Sequence, residues 1–274
     1  MDKYAVIGNP VAHSKSPQIH AAFAHATGQG MTYERLLAPK DAFAATVDAF
    51  VRDGGFGLNV TVPFKLEAHA LADSCSARAE LAGAVNTLKR EHGTWYGDNT
   101  DGPGIVRDLA HNLGVALAGR EVLVLGAGGA ARGIMSALLA ERPHSVTISN
   151  RTAHKAADVA RLFSRFGNVV AAAPPALAGR AFDVVINATS AGLADAAPPP
   201  WPGTIFASAG FAYDMIYGDA PTSFLLWALR HGAARTADGL GMLIEQAAES
   251  FLLWRGVRPA TGPVFALLRP AGSS

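Results

Sequence analysis

The chain has 274 residues, 23 basic against 22 acidic side chains, a formal net charge of +1 and a composition that is half hydrophobic. Near-neutrality with no long like-charged block excludes the basic footprint of a nucleic-acid binder, and the apolar share excludes a disordered chain. A length of about twice the common domain size favours two domains over one large α/β unit, while the single cysteine, Cys75, excludes an internal disulfide and predicts a reducing, cytoplasmic setting.

In chain order, MDKYAVIGNP carries an acid and a base and reaches Gly-Asn-Pro too soon for the apolar region of a signal peptide, so no export signal is expected. KYAVIG reads as a strand, Pro17 to Thr27 as a helix, TYERLL as a strand, Asp41 to Arg52 as a helix and GLNVTV as a strand. That alternation predicts a small open α/β sheet with crossover helices. VAHSKSPQIH sets Ser14 and Ser16 just before Pro17, where a serine serves as helix N-cap; two hydroxyls at a helix start also suit a small carboxylate. NVTVPFK ends an apolar, β-branched run with Lys65, one of six lysines, and Pro63 is expected to help end the strand. Taken alone, such a lysine is most simply a solvated surface charge. GAVNTL contributes Asn86 and GDNTDG contributes Asp101, each an Asx-turn former or a partner for ligand hydroxyls. Residues 97 to 105, rich in Gly, Asn and Asp, mark a junction.

A second rhythm starts at Arg120: strand EVLVL, a glycine-rich turn, an alanine-rich helix, strand SVTISN, a helix over Ala153 to Phe166, then FDVVINATS and TIFASAGFAYDMI. This is the order of a mononucleotide-binding half-fold. Gly126, Ala127, Gly128, Gly129, Ala130 and Ala131 form GxGxxA between strand and helix, where backbone N–H groups approach a pyrophosphate. The next strand ends at Asn150, Arg151 and Thr152, with Lys155 one turn on. An acidic residue there would favour NAD; its absence, with cationic donors in its place, predicts NADP. The Ala-Pro clusters near 171 to 178 and 196 to 202 read as loops, and the prolines between Ala196 and Tyr213 argue against a membrane helix. From Gly239 onwards the period is helical, with Leu243, Ala247, Phe251 and Trp254 near one face. The nine histidines, His13, His20 and His25 among them, show no metal-ligand spacing and read as surface or packing residues.

In order along residues 5 to about 256, GNPVAHSKSPQIH, NVTVPFK, GAVNTL, GDNTDGPG, GAGGAARG, SNRT, NATSAG, YDMIY and DGLGMLIEQAAESF resemble the motif series of the shikimate dehydrogenase family. The resemblance implies reversible, NADP-dependent reduction of 3-dehydroshikimate to shikimate in aromatic amino-acid biosynthesis. It implies a two-domain α/β fold: a substrate-binding domain of residues 1–101 and 240–274, and a Rossmann-like NADP domain of residues 102–239, separated by a cleft. By motif, Ser14 and Ser16 would hold the substrate carboxylate with Tyr217 nearby, while Thr61, Lys65, Asn86, Asp101 and Gln246 would contact the ring hydroxyls. Gly126 to Ala131 would bind the pyrophosphate and Asn150, Arg151 and Thr152 the 2′-phosphate. Lys155 stands where some members have arginine, a more planar phosphate partner. Thr189, Ser190, Met215 and Gly239 would lie along the ribose and nicotinamide.

Within that resemblance Lys65, with Asp101 as partner, is the candidate acid for the proton that must reach the C3 oxygen as hydride reaches the carbon. A fixed positive charge facing the developing oxyanion is the other role open to it. Two rivals remain: a quinate/shikimate dehydrogenase that uses NAD as well as NADP, and a protein that senses NADP without turnover. Monomer and homodimer are both compatible with the sequence, and the expected partners are small molecules, not nucleic acid or membrane.

Overall fold

The computed structural model describes residues 1–189 and 201–269. The chain divides into two compact units, Met1–Gly104 with Leu243–Ser274, and Ile105–Met242.

The first unit begins β1 (Asp2–Gly8), α1 (Ser16–Thr27), β2 (Met31–Leu37), α2 (Phe43–Arg52) and β3 (Gly55–Val60). It continues α3 (Lys65–Leu71), β4 (Ser74–Cys75), α4 (Ala77–Ala82), β5 (Thr87–Glu91), β6 (Thr94–Asp98) and α5 (Asp101–Arg107). The six strands form one sheet in the order β2-β1-β3-β5-β6-β4. The β1 strand pairs in parallel with both β2 and β3, as right-handed crossovers through α1 and α2 require. Its run of consecutive buried residues, Tyr4 to Gly8, serves two layers: Ala5 and Ile7 pack with Phe43, Val47 and Phe50 of α2, while the Tyr4 ring meets Trp254 at 4.7 Å on the opposite face.

The sheet is not wholly of crossover type. The β3–β5 and β5–β6 pairs are antiparallel, and β5 and β6 are joined by the two residues His92 (φ 51°) and Gly93 (φ 88°). Two positive φ values make a primed hairpin turn, which matches the right-handed strand twist. Histidine in the first position lacks the Asn-Gly or Asp-Gly signature, so the hairpin was hidden in the sequence. A second difference concerns Lys65. The strand ends at Val60, Phe64 N–H donates to the Thr61 carbonyl at 3.0 Å, and Lys65 is the first residue of α3 and not the end of a strand.

The second unit carries β7 (Glu121–Leu125), α6 (Gly129–Ala140), β8 (Ser145–Ser149), α7 (Ala153–Phe163), β9 (Val169–Ala172), β10 (Phe182–Asn187), β11 (Phe206–Asp214), α8 (Ser223–Arg230) and β12 (Arg235–Ala237). Its sheet is entirely parallel in the order β12-β11-β10-β7-β8-β9, the doubly wound order with its switch point between β7 and β10. The expected loop at 171 to 178 is corrected here: its first two residues close β9 on the sheet edge and Pro174–Leu177 form a 3-10 turn. The β9 strand, Val-Val-Ala-Ala, is too short for an alternating pattern, and pairing with β8 carries it into the alanines of the expected loop. The predicted helix over Ala153 to Phe166 ends its α part at Phe163 and finishes in one 3-10 turn. Most of the 196 to 202 cluster lies outside the described residues.

Chain boundaries between the units fall within α5 and within the first turn of α9 (Leu240–Arg255), which α10 (Gly262–Leu268) follows. The α9 helix is buried over most of its circumference and not along one stripe: Ile244, Ala247, Ala248 and Phe251 are fully buried and Leu243 is only partly so. Among the described residues no helix is long and apolar enough to cross a membrane.

Candidate active site

In the first unit the polar motifs meet where β3 and β6 end and β5 begins. Asn86, between α4 and β5, donates through Nδ2 to Asp101 Oδ1 at 2.8 Å, Thr100 Oγ1 at 2.9 Å and Gln246 Oε1 at 3.3 Å. Its own Oδ1 accepts from the Thr100 N–H at 2.8 Å. Asp101 lies at the start of α5, and its backbone N–H bonds to Asn99 Oδ1 at 3.2 Å, an Asx turn that fixes the carboxylate. The other Asp101 oxygen accepts from the Lys65 ammonium. Side-chain exposures of 15% for Lys65 and 7% for Asp101 set this pair apart from a surface ion pair. The pair is therefore a shielded, directed charge couple, able to present N–H donors and a carboxylate to a small ligand.

Ser14 and Ser16 are both buried, an unusual state for serine. The N-cap of α1 is Lys15 and makes no side-chain cap, so the N-cap function is taken by neither serine. Instead Ser14 Oγ accepts from the Ser16 N–H at 3.3 Å, lies 3.1 Å from the Ser16 hydroxyl, and is steadied by Arg35 Nε on its carbonyl at 2.9 Å. A second row of side chains, which sequence reasoning missed, links the serines to Asn86. Ser16 bonds to the phenol of Tyr33, and Tyr33 donates to Asn59 Oδ1 at 2.7 Å. Asn59 Nδ2 donates in turn to Ser250 Oγ at 2.9 Å and Thr87 Oγ1 at 3.2 Å, and Thr87 Oγ1 donates to Asn86 Oδ1 at 3.0 Å. Burial raises the Tyr33 phenol well above its ordinary range, and the Ser16 bond offsets this only in part. Asn59 stood inside NVTVPFK; an asparagine between apolar residues of a strand-like run was the available signal.

Thr61 follows β3, its N–H on the Ile7 carbonyl at 3.0 Å and its methyl against Gly8. Gln246 sits on α9 with its amide nitrogen on the Leu243 carbonyl, which aims its oxygen at Asn86 and Thr100. The structure thus brings Lys65, Asn86, Asp101 and Gln246 into one network. Tyr217, by contrast, belongs to the second unit, beyond β11.

In the second unit Gly126 follows β7 with φ 109°, and a Cβ there would meet the Ala188 carbonyl at 3.0 Å. Only glycine fits that turn. Gly128 is the N-cap of α6 with open space around it, and no side chain caps the first amides, those of Gly129, Ala130 and Ala131. An uncapped helix N-terminus offers N–H donors and positive dipole to an anion. At the end of β8, Asn150 Nδ2 bonds to the Thr152 carbonyl at 3.0 Å, Thr152 starts α7 without a side-chain cap, and Arg151 and Lys155 are exposed. No carboxylate is among these residues. The glycine turn, the uncapped amides and the cationic pair fit a dinucleotide carrying an extra phosphate.

The carboxyl ends of β10 and β11 are joined through Asn187 and Asp214. Asp214 accepts from Asn187 Nδ2 at 3.0 Å, Ile216 N–H at 3.1 Å and Thr222 Oγ1 at 2.6 Å; Asn187 Oδ1 accepts from the N–H and hydroxyl of Thr189. Burial pushes the Asp214 carboxyl up to about 6 against these three bonds. Met215 N–H bonds to the Asn187 carbonyl at 3.0 Å, and Gly239 lies so close to Met215 that a Cβ would come within 2.2 Å of its carbonyl oxygen. Thr189 is therefore held by the Asn187 carboxamide, Met215 by the Asn187 carbonyl, and Gly239 by its N–H on the Ile216 carbonyl. Ser190 lies outside the described residues.

Comparison with known proteins matches residues 6–88 to the shikimate dehydrogenase substrate binding domain, residues 108–194 to shikimate / quinate 5-dehydrogenase and residues 239–267 to the shikimate 5′-dehydrogenase C-terminal domain. The shikimate dehydrogenase (NADP(+)) of Thioalkalivibrio sulfidiphilus is 59% identical over 271 residues, covering 98% of this chain and 99% of that protein. Among solved structures, an Ael1 enzyme from Pseudomonas putida is 46% identical with a TM-score of 0.90 over 98% of both chains. Shikimate 5-dehydrogenase of Thermus thermophilus, in complex with NADP(H) and shikimate, is 36% identical with a TM-score of 0.84 over 95% of this chain and 96% of that one.

Proposed function

The chain belongs to the shikimate dehydrogenase family, and on that premise we propose that it catalyses the reversible, NADP-dependent reduction of 3-dehydroshikimate to shikimate, a step of aromatic amino-acid biosynthesis. The observation that carries the reading is the shielded Lys65–Asp101 pair, anchored by Asn86 and Gln246. NADPH, when bound, supplies the hydride. Lys65 donates the proton to the C3 oxygen as negative charge develops on it, and takes the proton back in the oxidation direction. Asp101 orients the ammonium, so that the donor meets the oxygen without a search through rotamers. Ser14 and Ser16 bind the substrate carboxylate, with Tyr217 as a further contact; Thr61, Asn86, Asp101 and Gln246 bind the ring hydroxyls.

Gly126, Ala127, Gly128, Gly129, Ala130 and Ala131 hold the pyrophosphate, Asn150, Arg151, Thr152 and Lys155 the 2′-phosphate, and Thr189, Ser190, Met215 and Gly239 the ribose and nicotinamide. The enzyme acts on small molecules in the cytoplasm, as monomer or homodimer. One spectrophotometric assay tests the reading: kcat/KM is measured for shikimate and quinate, each with NADP and NAD. Shikimate with NADP is expected to be the most efficient pair. Equal use of both cofactors would place the chain with the quinate/shikimate type, and no turnover with any pair would leave an NADP-sensing protein.

A further inference from the structure

We propose that His69, Cys75 and Glu80 form a binding site for one divalent metal ion of the zinc class, tying the last turn of α3 to β4 and α4. The three side chains come from three successive elements, and their ligand atoms, His69 Nε2 or Nδ1, Cys75 Sγ and a Glu80 carboxylate oxygen, all lie within 4.8 Å of one another. His69 Nε2 and Glu80 Oε2 are already 3.3 Å apart. A tetrahedral zinc ion, with bonds of about 2.0–2.3 Å to nitrogen, oxygen and sulfur, separates its ligand atoms by roughly 3–4 Å. Closing the remaining distance takes side-chain rotation alone, since His69 is 29% and Glu80 60% exposed.

The backbone beneath these side chains is already held in place. Ser76 N–H bonds to the Gly97 carbonyl at 2.9 Å, and Ser76 Oγ caps α4 by accepting from Ala79 N–H at 3.2 Å. Arg78 Nε binds Asp98 Oδ1 at 2.7 Å, so α4, which carries Glu80, is fastened to the end of β6. On the α3 side, Asp73 N–H bonds to the Trp95 carbonyl at 2.9 Å, and Trp95 N–H returns to Asp73 Oδ2 at 2.7 Å. Cys75 Sγ rests against Gly97, where a Cβ would approach it to 2.9 Å. Both segments are thus registered on one strand, and the order cost of forming the site falls mainly on the half-buried His69 and the exposed Glu80 side chains.

The chemistry of the set selects the ion. Thiolate and imidazole are soft or borderline donors and favour zinc-class ions over magnesium or calcium. Binding exchanges the Cys75 S–H proton, released to solvent, for a metal–sulfur bond, and the thiolate and carboxylate together neutralise the two positive charges. Three protein ligands leave one coordination position for water. The site uses no residue assigned to substrate or cofactor, so it stands or falls independently of the dehydrogenase reading.

The test uses the full-length, reduced, metal-free protein titrated with cobalt(II) and then with zinc(II). One equivalent of cobalt is expected to give a thiolate-to-cobalt charge-transfer absorption that zinc abolishes by displacement. Cys75→Ser is expected to remove that absorption and weaken zinc binding at least tenfold, and His69→Gln to weaken it at least tenfold. Absence of the charge-transfer band, or zinc affinity unchanged in both His69→Gln and Glu80→Gln, overturns the proposal. The last two substitutions are at solvent-accessible side chains, so the outcome stands even where Cys75→Ser fails to fold.

Discussion

At the residue scale, the ion pairs of this chain are unequal. Lys3 and Asp53 meet at the surface with side chains 35% and 72% exposed, a setting in which such a pair contributes little. Lys65 and Asp101 meet where water is scarce, and each would be left an uncompensated charge without the other. Lys65→Met is therefore expected to lower kcat by about 10²-fold or more with KM for shikimate within a few-fold. Steady-state kinetics check it; a raised KM with kcat nearly intact would remove the proton-transfer role. The motif resemblance paired Lys65 with Asp101, but nothing local marked Lys65 as the first residue of a helix. Thirty-six residues separate the two, and no local pattern encodes that distance.

At the element scale, the ends of parallel strands do most of the positioning. One carboxylate, Asp214, gathers the turn after β10, the turn after β11 and the N-cap of α8, since Thr222 Oγ1 also accepts from Leu225 N–H. Asp214→Asn puts a second amide donor among three donors and is expected to cost about 1–3 kcal/mol of stability. Because Thr189 and Met215 hang on Asn187, KM for NADP is expected to rise about tenfold with a smaller change in kcat. Thermal unfolding and initial rates separate the two effects. At the β8–α7 turn, Arg151→Ala removes the cation proposed to bind the 2′-phosphate and is expected to raise KM for NADP about tenfold or more while leaving that for NAD unchanged. The glycine turn and the missing acidic residue at this strand end are local features, so the sequence alone supported them. Strand β9 and the His92-Gly93 hairpin were not readable, because pairing with neighbours outweighs weak propensity there.

At the scale of the whole molecule, two buried groups respond to acid in opposite senses, one in each unit. His20 is fully buried and stacked on Tyr33 with ring centroids 4.2 Å apart; burial lowers its pKa from 6.5 to about 3, and Asn59 offsets this only in part. The unfolded chain takes that proton first, so stability held above pH 6.5 is lost as pH falls, by about 2 kcal/mol at pH 5. Asp214, raised from 3.8 to about 6, is protonated first in the folded state, which gains about 1 kcal/mol between pH 7 and pH 5. Amide exchange is expected to show protection falling in β1 and rising in β10 over that interval, with His20→Phe abolishing the fall. The sequence by itself determined the alternation of strands and helices, the glycine-rich turn, the absence of an acidic residue at the end of β8 and the motif order, because each depends on side chains near one another along the chain. Only the tertiary structure decided the mixed sheet of the first unit, the row Ser16–Tyr33–Asn59–Thr87–Asn86 and the meeting of His69, Cys75 and Glu80. Those follow from strand order and from contacts such as Asn59 with Ser250, 191 residues apart, which buried polar groups must find to keep their hydrogen bonds.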